Sequence, residues 1–137
     1  MQPGKRNRWT LAPGMLFKDG KLFMLVGGAG AESTMWGIAQ PIVNAIDFGM
    51  EPQAALYAPR FRYGDIYHYT GGTETWLEPG MKPDVRDALV ARGHLMSPVD
   101  KPRMPARGTT QMIVIDQKNG TLFGGAAPQG RDNLGAY

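Results

Sequence analysis

The stretch MLFKDGKLFMLVGGAGAEST, residues 15–34, contains a hairpin pattern, a glycine turn and the start of a helix in direct succession. Residues 15–26 form two short apolar runs joined at Asp19-Gly20, a pair that suits the positive φ angles of a tight hairpin. Three glycines and two alanines follow within residues 26–34. Because glycine permits close backbone approach, this turn can present bare N–H groups to a phosphate or an oxyanion, or form only a tight corner.

The hairpin pattern recurs near the C-terminus, where QMIVID (111–116) and TLFGG (121–125) flank the turn residues QKNG. A further strand is predicted over residues 75–77, and three prolines between residues 97 and 108 predict a loop. Strands at both ends of the chain with helices between them indicate an α+β fold, in which helices cover an antiparallel sheet.

Apolar residues at three- and four-residue spacing predict a helix over residues 33–48. Pro41 lies inside this pattern, so we expect either a kink or a helix that begins near residue 40. Residues 51–59 predict a second, short helix with a proline in its first turn.

A third helix is predicted over residues 82–94, with a proline early in the pattern and Gly93 at its end. Its apolar residues, Val85, Leu89 and Val90, are expected to face the core.

The composition limits the classes of protein and site. A chain of 137 residues fits a single domain over residues 1–137, and the absence of cysteine excludes disulfides and a thiol nucleophile. His68 and His94 are too few for a convincing metal site, and no cofactor is expected. The net charge of +3 is scattered, so no nucleic-acid partner is expected. No apolar run reaches the roughly 18 residues of a membrane span, and any export signal would lie outside this chain.

Four blocks of sequence, in the same order, resemble the gamma-glutamyltransferase (gamma-glutamyltranspeptidase) family. The segment IVNAIDFGMEPQAALYAPRF, residues 42–61, resembles a family helix with an N-x-(I/L)-D-(F/Y)-G motif that leads through a short helix to A-P-R-F. KDGKLFMLVGGAG (18–30), LEPGMKPDVRDALVARGH (77–94) and FGGAAPQGRDNLGAY (123–137) are similar to the family's hairpin, later strand and helix, and ending. The resemblance therefore covers nearly the whole chain, as the C-terminal part of the family's small subunit.

The resemblance implies an N-terminal-nucleophile hydrolase with a layered αββα sandwich, whose precursor cleaves itself into a large and a small subunit. The new N-terminal threonine attacks a γ-glutamyl amide such as that of glutathione, and the acyl group passes to water, an amino acid or a peptide. We expect the threonine segment to precede residue 1, so the chain alone should be inactive. Its partners would be the large subunit, the N-terminal part of the small subunit and a small amide substrate.

The resemblance also assigns site residues. The family's glycine turn, which donates two backbone N–H groups to the oxyanion, falls on Gly30 and Ala31, where the family usually has two glycines. A Ser-Ser-Met stretch that holds the substrate α-carboxylate falls on Trp9, Thr10 and Leu11. Thr10 retains a hydroxyl, whereas Trp9 replaces a serine and either alters this pocket or packs against the sheet.

Other residues of the matched blocks receive structural roles. Arg60 and Asp47 are interpreted as structural, because an arginine fork suits a loop that is tied to carboxylates or carbonyls. His94 is expected to cap or pack a helix end, and residues 61–72 are interpreted as a variable loop.

Two alternatives to a gamma-glutamyl enzyme stay open. The chain could be a non-catalytic remnant or partner-binding module, since the nucleophile is absent and Ala31 and Trp9 depart from the family. It could instead belong to a related acylase with a different amide substrate, such as the cephalosporin acylases.

Overall fold

The computed structural model of the protein describes residues 2–6, 10–30, 33–64, 73–97 and 109–127. Within these residues the strands and helices follow the order β1 (Gly14–Lys18), β2 (Lys21–Ala29), α1 (Ser33–Ile46), α2 (Pro52–Tyr57), β3 (Phe61–Tyr63), β4 (Thr75–Leu77), α3 (Pro83–Ala91), β5 (Thr109–Ile115) and β6 (Leu122–Ala126). The two predicted hairpins form one antiparallel sheet of order β1-β2-β5-β6, and β3 pairs with β4 in a second sheet.

The first hairpin turn adopts the conformation that its sequence predicts. Asp19 and Gly20 have φ angles of 51° and 74°, the positive values that a two-residue turn between twisted strands requires. In the second turn, the Asp116 carboxylate accepts hydrogen bonds from the Lys118 amide at 2.9 Å and the Asn119 side chain at 2.7 Å. These hydrogen bonds, chiefly that from Lys118, lower the pKa of the exposed Asp116 carboxyl.

The helices α1 and α2 cover one face of the four-stranded sheet. The buried core there consists of Met24 and Val26 from β2, Met112 from β5 and Leu56 from α2. Alternation along β2 and β5 turns every second residue toward these helices, because successive side chains of a strand point to opposite faces. The predicted antiparallel sheet covered by helices is therefore confirmed.

Helix α1 runs without a break through Pro41, so the expectation of a helix that begins near residue 40 is wrong. Proline lacks the N–H that would donate to the carbonyl four residues earlier, which here belongs to the buried Gly37. The Thr110 hydroxyl on β5 donates to that carbonyl at 3.2 Å, and the Gln40 side chain donates to the Trp36 carbonyl at 2.7 Å. The Thr110 hydroxyl thus replaces the lost backbone donor, and the buried proline is tolerated.

Replacing Thr110 by valine is expected to lower the free energy of unfolding by about 1–3 kcal/mol, because the buried Gly37 carbonyl loses a donor. In a Pro41→Ala background the same change should cost less, since the amide of residue 41 can then donate to Gly37. Urea denaturation of the four proteins of this double-mutant cycle measures the coupling. Thr121→Val, at an exposed position, is the control, and an equal cost of Thr110→Val in both backgrounds contradicts this explanation.

Two predictions about individual segments are wrong. Val85 and Val90 on α3 are 37% and 53% exposed, and α3 buries none of its residues, because none of the described elements packs against its apolar side. Residues 61–63 form strand β3 rather than part of a loop, because β4 supplies an antiparallel partner across a long sequence separation. The remainder of the predicted variable loop, residues 65–72 with His68, lies outside the described residues.

The second sheet is joined to the loop before it by a buried ion pair. Arg60 is 1% exposed, and its guanidinium Nη2 lies 3.4 Å from Glu78 Oε1. The backbone amides add to this link, because Arg60 N donates to the Glu78 carboxylate at 3.1 Å and Glu78 N donates to the Arg60 carbonyl at 2.8 Å. This geometry agrees with the structural role predicted for Arg60.

Two further residues of the matched blocks lie at the surface. Asp47 is exposed at the end of α1, and the His94 side chain is exposed beyond α3. The backbone amide of His94 donates to the Leu89 carbonyl at 3.1 Å, next to Gly93 with a φ of 87°. His94 therefore caps the helix through its backbone.

Candidate functional site

The C-terminal end of β2 leads into the glycine turn and is packed too closely for side chains. A Cβ added to Gly28 would lie 2.9 Å from the Thr109 carbonyl oxygen and 3.0 Å from Ile38 Cγ1. Glycine at this position lets helix α1 and strand β5 approach the same stretch of backbone from two sides. The strand end is therefore held rigidly where the turn begins.

The turn itself begins with a glycine in a conformation that other residues rarely adopt. Gly30 has a φ of 151°, which a Cβ would disfavour. Ala31, the second predicted oxyanion donor, lies outside the described residues, so the paired donor geometry stays a prediction. Helix α1 starts at Ser33, so the turn precedes the positive end of a helix dipole.

The segment predicted to hold the substrate lies beside this strand end. Leu11 forms an antiparallel bridge with Ala29, and the Ala12 amide donates to the Gly28 carbonyl at 3.0 Å. Thr10 is exposed, and its backbone carbonyl accepts a hydrogen bond from the Thr34 hydroxyl at 3.2 Å. The structure therefore brings residues 10–12 to both flanks of the turn, whereas Trp9 lies outside the described residues.

A cleft of about 300 Å³ opens on the sheet face opposite α1 and α2, beside the strand end. Because Met112 is buried against the helices, its neighbour Gln111 points to this other face, where it is exposed. A Cβ on Gly27 would meet nothing within 4 Å, so the cleft floor is open at that point. The residues that line the cleft are Leu11, Ala12, Pro13, Gly27, Gly28, Ala29, Thr109 and Gln111.

Two residues near the turn were missed by sequence reasoning. The alternation in QMIVID could have placed Gln111 on the face opposite Met112, but no pattern connects that face with the glycine turn. Thr34 contacts Thr10 across 24 residues of sequence, a separation at which no local pattern signals a contact. Tertiary packing alone reveals both.

A second cavity, of about 350 Å³, lies on the two-stranded sheet beside α3, where Trp76, Glu78, Arg86 and Ser97 contribute to its lining. It contains none of the residues predicted for the site. The Arg86 guanidinium, which lines this cavity, already donates to the Ser97 carbonyl at 3.2 Å. The cleft beside Gly30 is therefore the better candidate for chemistry.

Comparisons with known proteins agree on one family. A family model described as Gamma-glutamyltranspeptidase matches residues 1–137. The glutathione hydrolase proenzyme of Escherichia coli strain K12 is 31% identical over 134 residues, which are 98% of this chain and 21% of the relative. Among solved structures, cephalosporin acylase from Bacillus halodurans matches with a TM-score of 0.77 and 38% identity, over 93% of this chain and 22% of that chain.

A mutant gamma-glutamyltranspeptidase from Helicobacter pylori matches with a TM-score of 0.73 and 27% identity, over 93% of this chain and 65% of that chain. The chain spans about a fifth of the length of the curated relative from Escherichia coli. Among the described residues, none of the helices combines the length and the apolar character needed to cross a membrane.

Proposed function

Because the chain belongs to the gamma-glutamyltranspeptidase family, we propose that it is the C-terminal part of the small subunit of an enzyme that cleaves γ-glutamyl amides. Its α+β fold is part of the αββα sandwich of N-terminal-nucleophile hydrolases. In this proposal residues 1–137 form a single domain, and a threonine outside these residues supplies the nucleophile. Turnover then requires the large subunit and the N-terminal part of the small subunit.

In the proposed reaction the threonine hydroxyl attacks the amide carbonyl, and the carbonyl electron pair moves onto its oxygen. The backbone N–H groups of Gly30 and Ala31 donate to this oxyanion. Fixed donors of this kind lower the barrier by about 3 kcal/mol each. Collapse of the intermediate breaks the C–N bond, and the proton that the threonine hydroxyl gives up goes to the leaving nitrogen, which departs as the amine. Water or an amino acid then accepts the acyl group and returns a proton to the threonine oxygen.

The single observation that carries the proposal is the glycine turn at the end of β2, inside a chain that matches the family along its whole length. Gly30 has a φ that favours glycine. At Gly28 an added Cβ would lie only 2.9 Å from the Thr109 carbonyl oxygen, so this position also requires glycine. In this proposal a small amide reaches the turn through the adjacent cleft, whose lining includes Ala29.

The substrate pocket includes Thr10 and Trp9 in this proposal. The exposed Thr10 hydroxyl can donate to the acyl group's carboxylate, while Trp9 occupies a position at which the family has a serine. A cephalosporin acylase shares 38% identity with the chain, which supports a second candidate: an acylase with a different amide substrate, for example one whose acyl group lacks the α-amino group.

The face of the four-stranded sheet opposite α1 and α2 carries exposed apolar side chains, which is typical of a surface that a partner covers. Met15 on β1 and Leu122 on β6 are 68% and 63% exposed, and Leu25 and Ile113 lie between them on the same face. We propose that the second sheet of the sandwich, from the remainder of the enzyme, packs here. The chain alone would expose this apolar face to water.

We expect the complete protein to release nitroaniline from γ-glutamyl p-nitroanilide with saturable kinetics, and the isolated 137-residue chain to release none. A glutaryl p-nitroanilide, which lacks the α-amino group, tests the acylase candidate in the same assay. Mass spectrometry after acid quenching should find the acyl group on the small subunit's N-terminal threonine. Turnover by the isolated chain, or an acyl group on one of its internal threonines, contradicts the proposal.

If the complete protein cleaves neither substrate, the non-catalytic remnant or partner-binding module is favoured instead. A ratio of kcat/KM that favours the glutaryl anilide assigns the chain to an acylase.

A further inference from the structure

The first turn of α1 carries a buried threonine for which the sequence assigns no role. Thr34 is 4% exposed, and its hydroxyl donates to the Thr10 backbone carbonyl at 3.2 Å. The two residues are 24 positions apart, so this hydrogen bond joins separate segments. Buried hydroxyls almost always find a partner, and this one finds it in the segment beside the cleft.

The position of Thr10 gives this hydrogen bond its significance. The residues that follow Thr10 are already attached to β2, because Ala12 N–H donates to the Gly28 carbonyl and Leu11 bridges to Ala29. The segment therefore contacts the chain before the glycine turn through Ala12 and after the turn through Thr34. Its backbone links both flanks of the turn.

We propose that Thr34 is a positioning residue, which holds the Thr10 segment at a set distance from the oxyanion turn. The inference rests on the proposed function, since it concerns the relation between the substrate's carboxylate and its reacting carbonyl. Loss of the Thr34 hydroxyl frees Thr10 to move relative to Gly30. A displacement of about 1 Å in such a site can cost about 100-fold in rate.

Thr34→Val keeps the side-chain shape and removes the donor, and Thr34→Ala is a second hydroxyl-free variant if valine impairs folding. In the complete protein, with γ-glutamyl p-nitroanilide, both should lower kcat roughly 10-fold and raise KM. The reason is that the Thr10 segment, which holds the substrate, is no longer at a set distance from the oxyanion donors. Thr34→Ser, which keeps the hydroxyl, should restore kcat and KM. Thr75→Val is the matched control, since Thr75 is 5% exposed but lies on β4 of the other sheet.

Amide hydrogen exchange, measured by mass spectrometry, tests the hydrogen bond without any turnover. Peptides that contain residues 10–12 should exchange faster in Thr34→Val than in the wild type, and at the wild-type rate in Thr34→Ser and Thr75→Val. Unchanged exchange in the hydroxyl-free variants overturns the inference, as does a fall in thermal stability with kcat and KM unchanged. An inactive wild-type protein refutes the proposed function, while the exchange result still decides whether Thr34 holds Thr10.

Discussion

Replacing Gly30 by alanine is expected to lower the kcat of the complete protein by about 100-fold, because the proposed oxyanion donor would leave its position. Gly30 has a φ of 151°, and a Cβ forces the backbone away from this value. The measurement is kcat and KM with γ-glutamyl p-nitroanilide, and KM should change less than kcat.

The matched control is Gly120→Ala in the second hairpin. Gly120 also has a positive φ, 69°, and a Cβ there meets nothing within 4 Å. This variant should lose about 1–2 kcal/mol of stability from the left-handed conformation and keep its kcat. Equal kcat values for Gly30→Ala and the wild type would contradict the proposed role of the turn in catalysis.

Replacing Arg60 by methionine is expected to lower the free energy of unfolding by about 3–5 kcal/mol, because the buried Glu78 carboxylate loses its cation. Both side chains are nearly inaccessible, at 1% and 7% exposure, so water cannot take the place of the guanidinium. Urea denaturation followed by tryptophan fluorescence measures the change. The pair joins the loop after α2 to the loop after β4, so we expect the substitution to act on stability.

Two further variants separate charge burial from the loss of a long side chain. Arg92→Met removes an exposed arginine at the end of α3 and should change stability by less than about 0.5 kcal/mol. The double variant Arg60→Met/Glu78→Gln should recover most of the stability, because no unpaired buried charge remains and the amide oxygen of glutamine can still accept from the backbone N–H of residue 60. If the double variant is less stable than Arg60→Met alone, the cost lies in packing rather than in the unpaired charge.

Much of the fold could be predicted because its signals are local. The pairs Asp19-Gly20 and Asn119-Gly120 specify tight turns through their own backbone preferences. Pro52 and Pro83 begin helices for a similar reason, since proline lacks a donor that the first turn does not need. The family could likewise be identified from linear blocks of residues. The candidate turn was found in this way, through alignment and not through its geometry.

Other features depend on partners that are distant in the sequence. Val85 and Val90 show a helical apolar pattern, but a pattern cannot tell whether another element covers it. Strand β3 is only three residues long and forms because β4 pairs with it. Helix α1 continues through Pro41 because Thr110, on a distant strand, supplies the missing donor.

The amino-acid sequence by itself determined the two hairpins, the starts of α2 and α3 and the family, since turn geometry, helix termini and collinear motifs are properties of neighbouring residues. Only the tertiary structure decided that Thr34 bonds to Thr10, that Arg60 is buried with Glu78 and that Gln111 lines the cleft beside the glycine turn. The physical reason is that hydrogen bonds, ion pairs and burial depend on which distant groups meet. Those contacts follow from the packing of helices on a sheet, which the preferences of neighbouring residues do not specify.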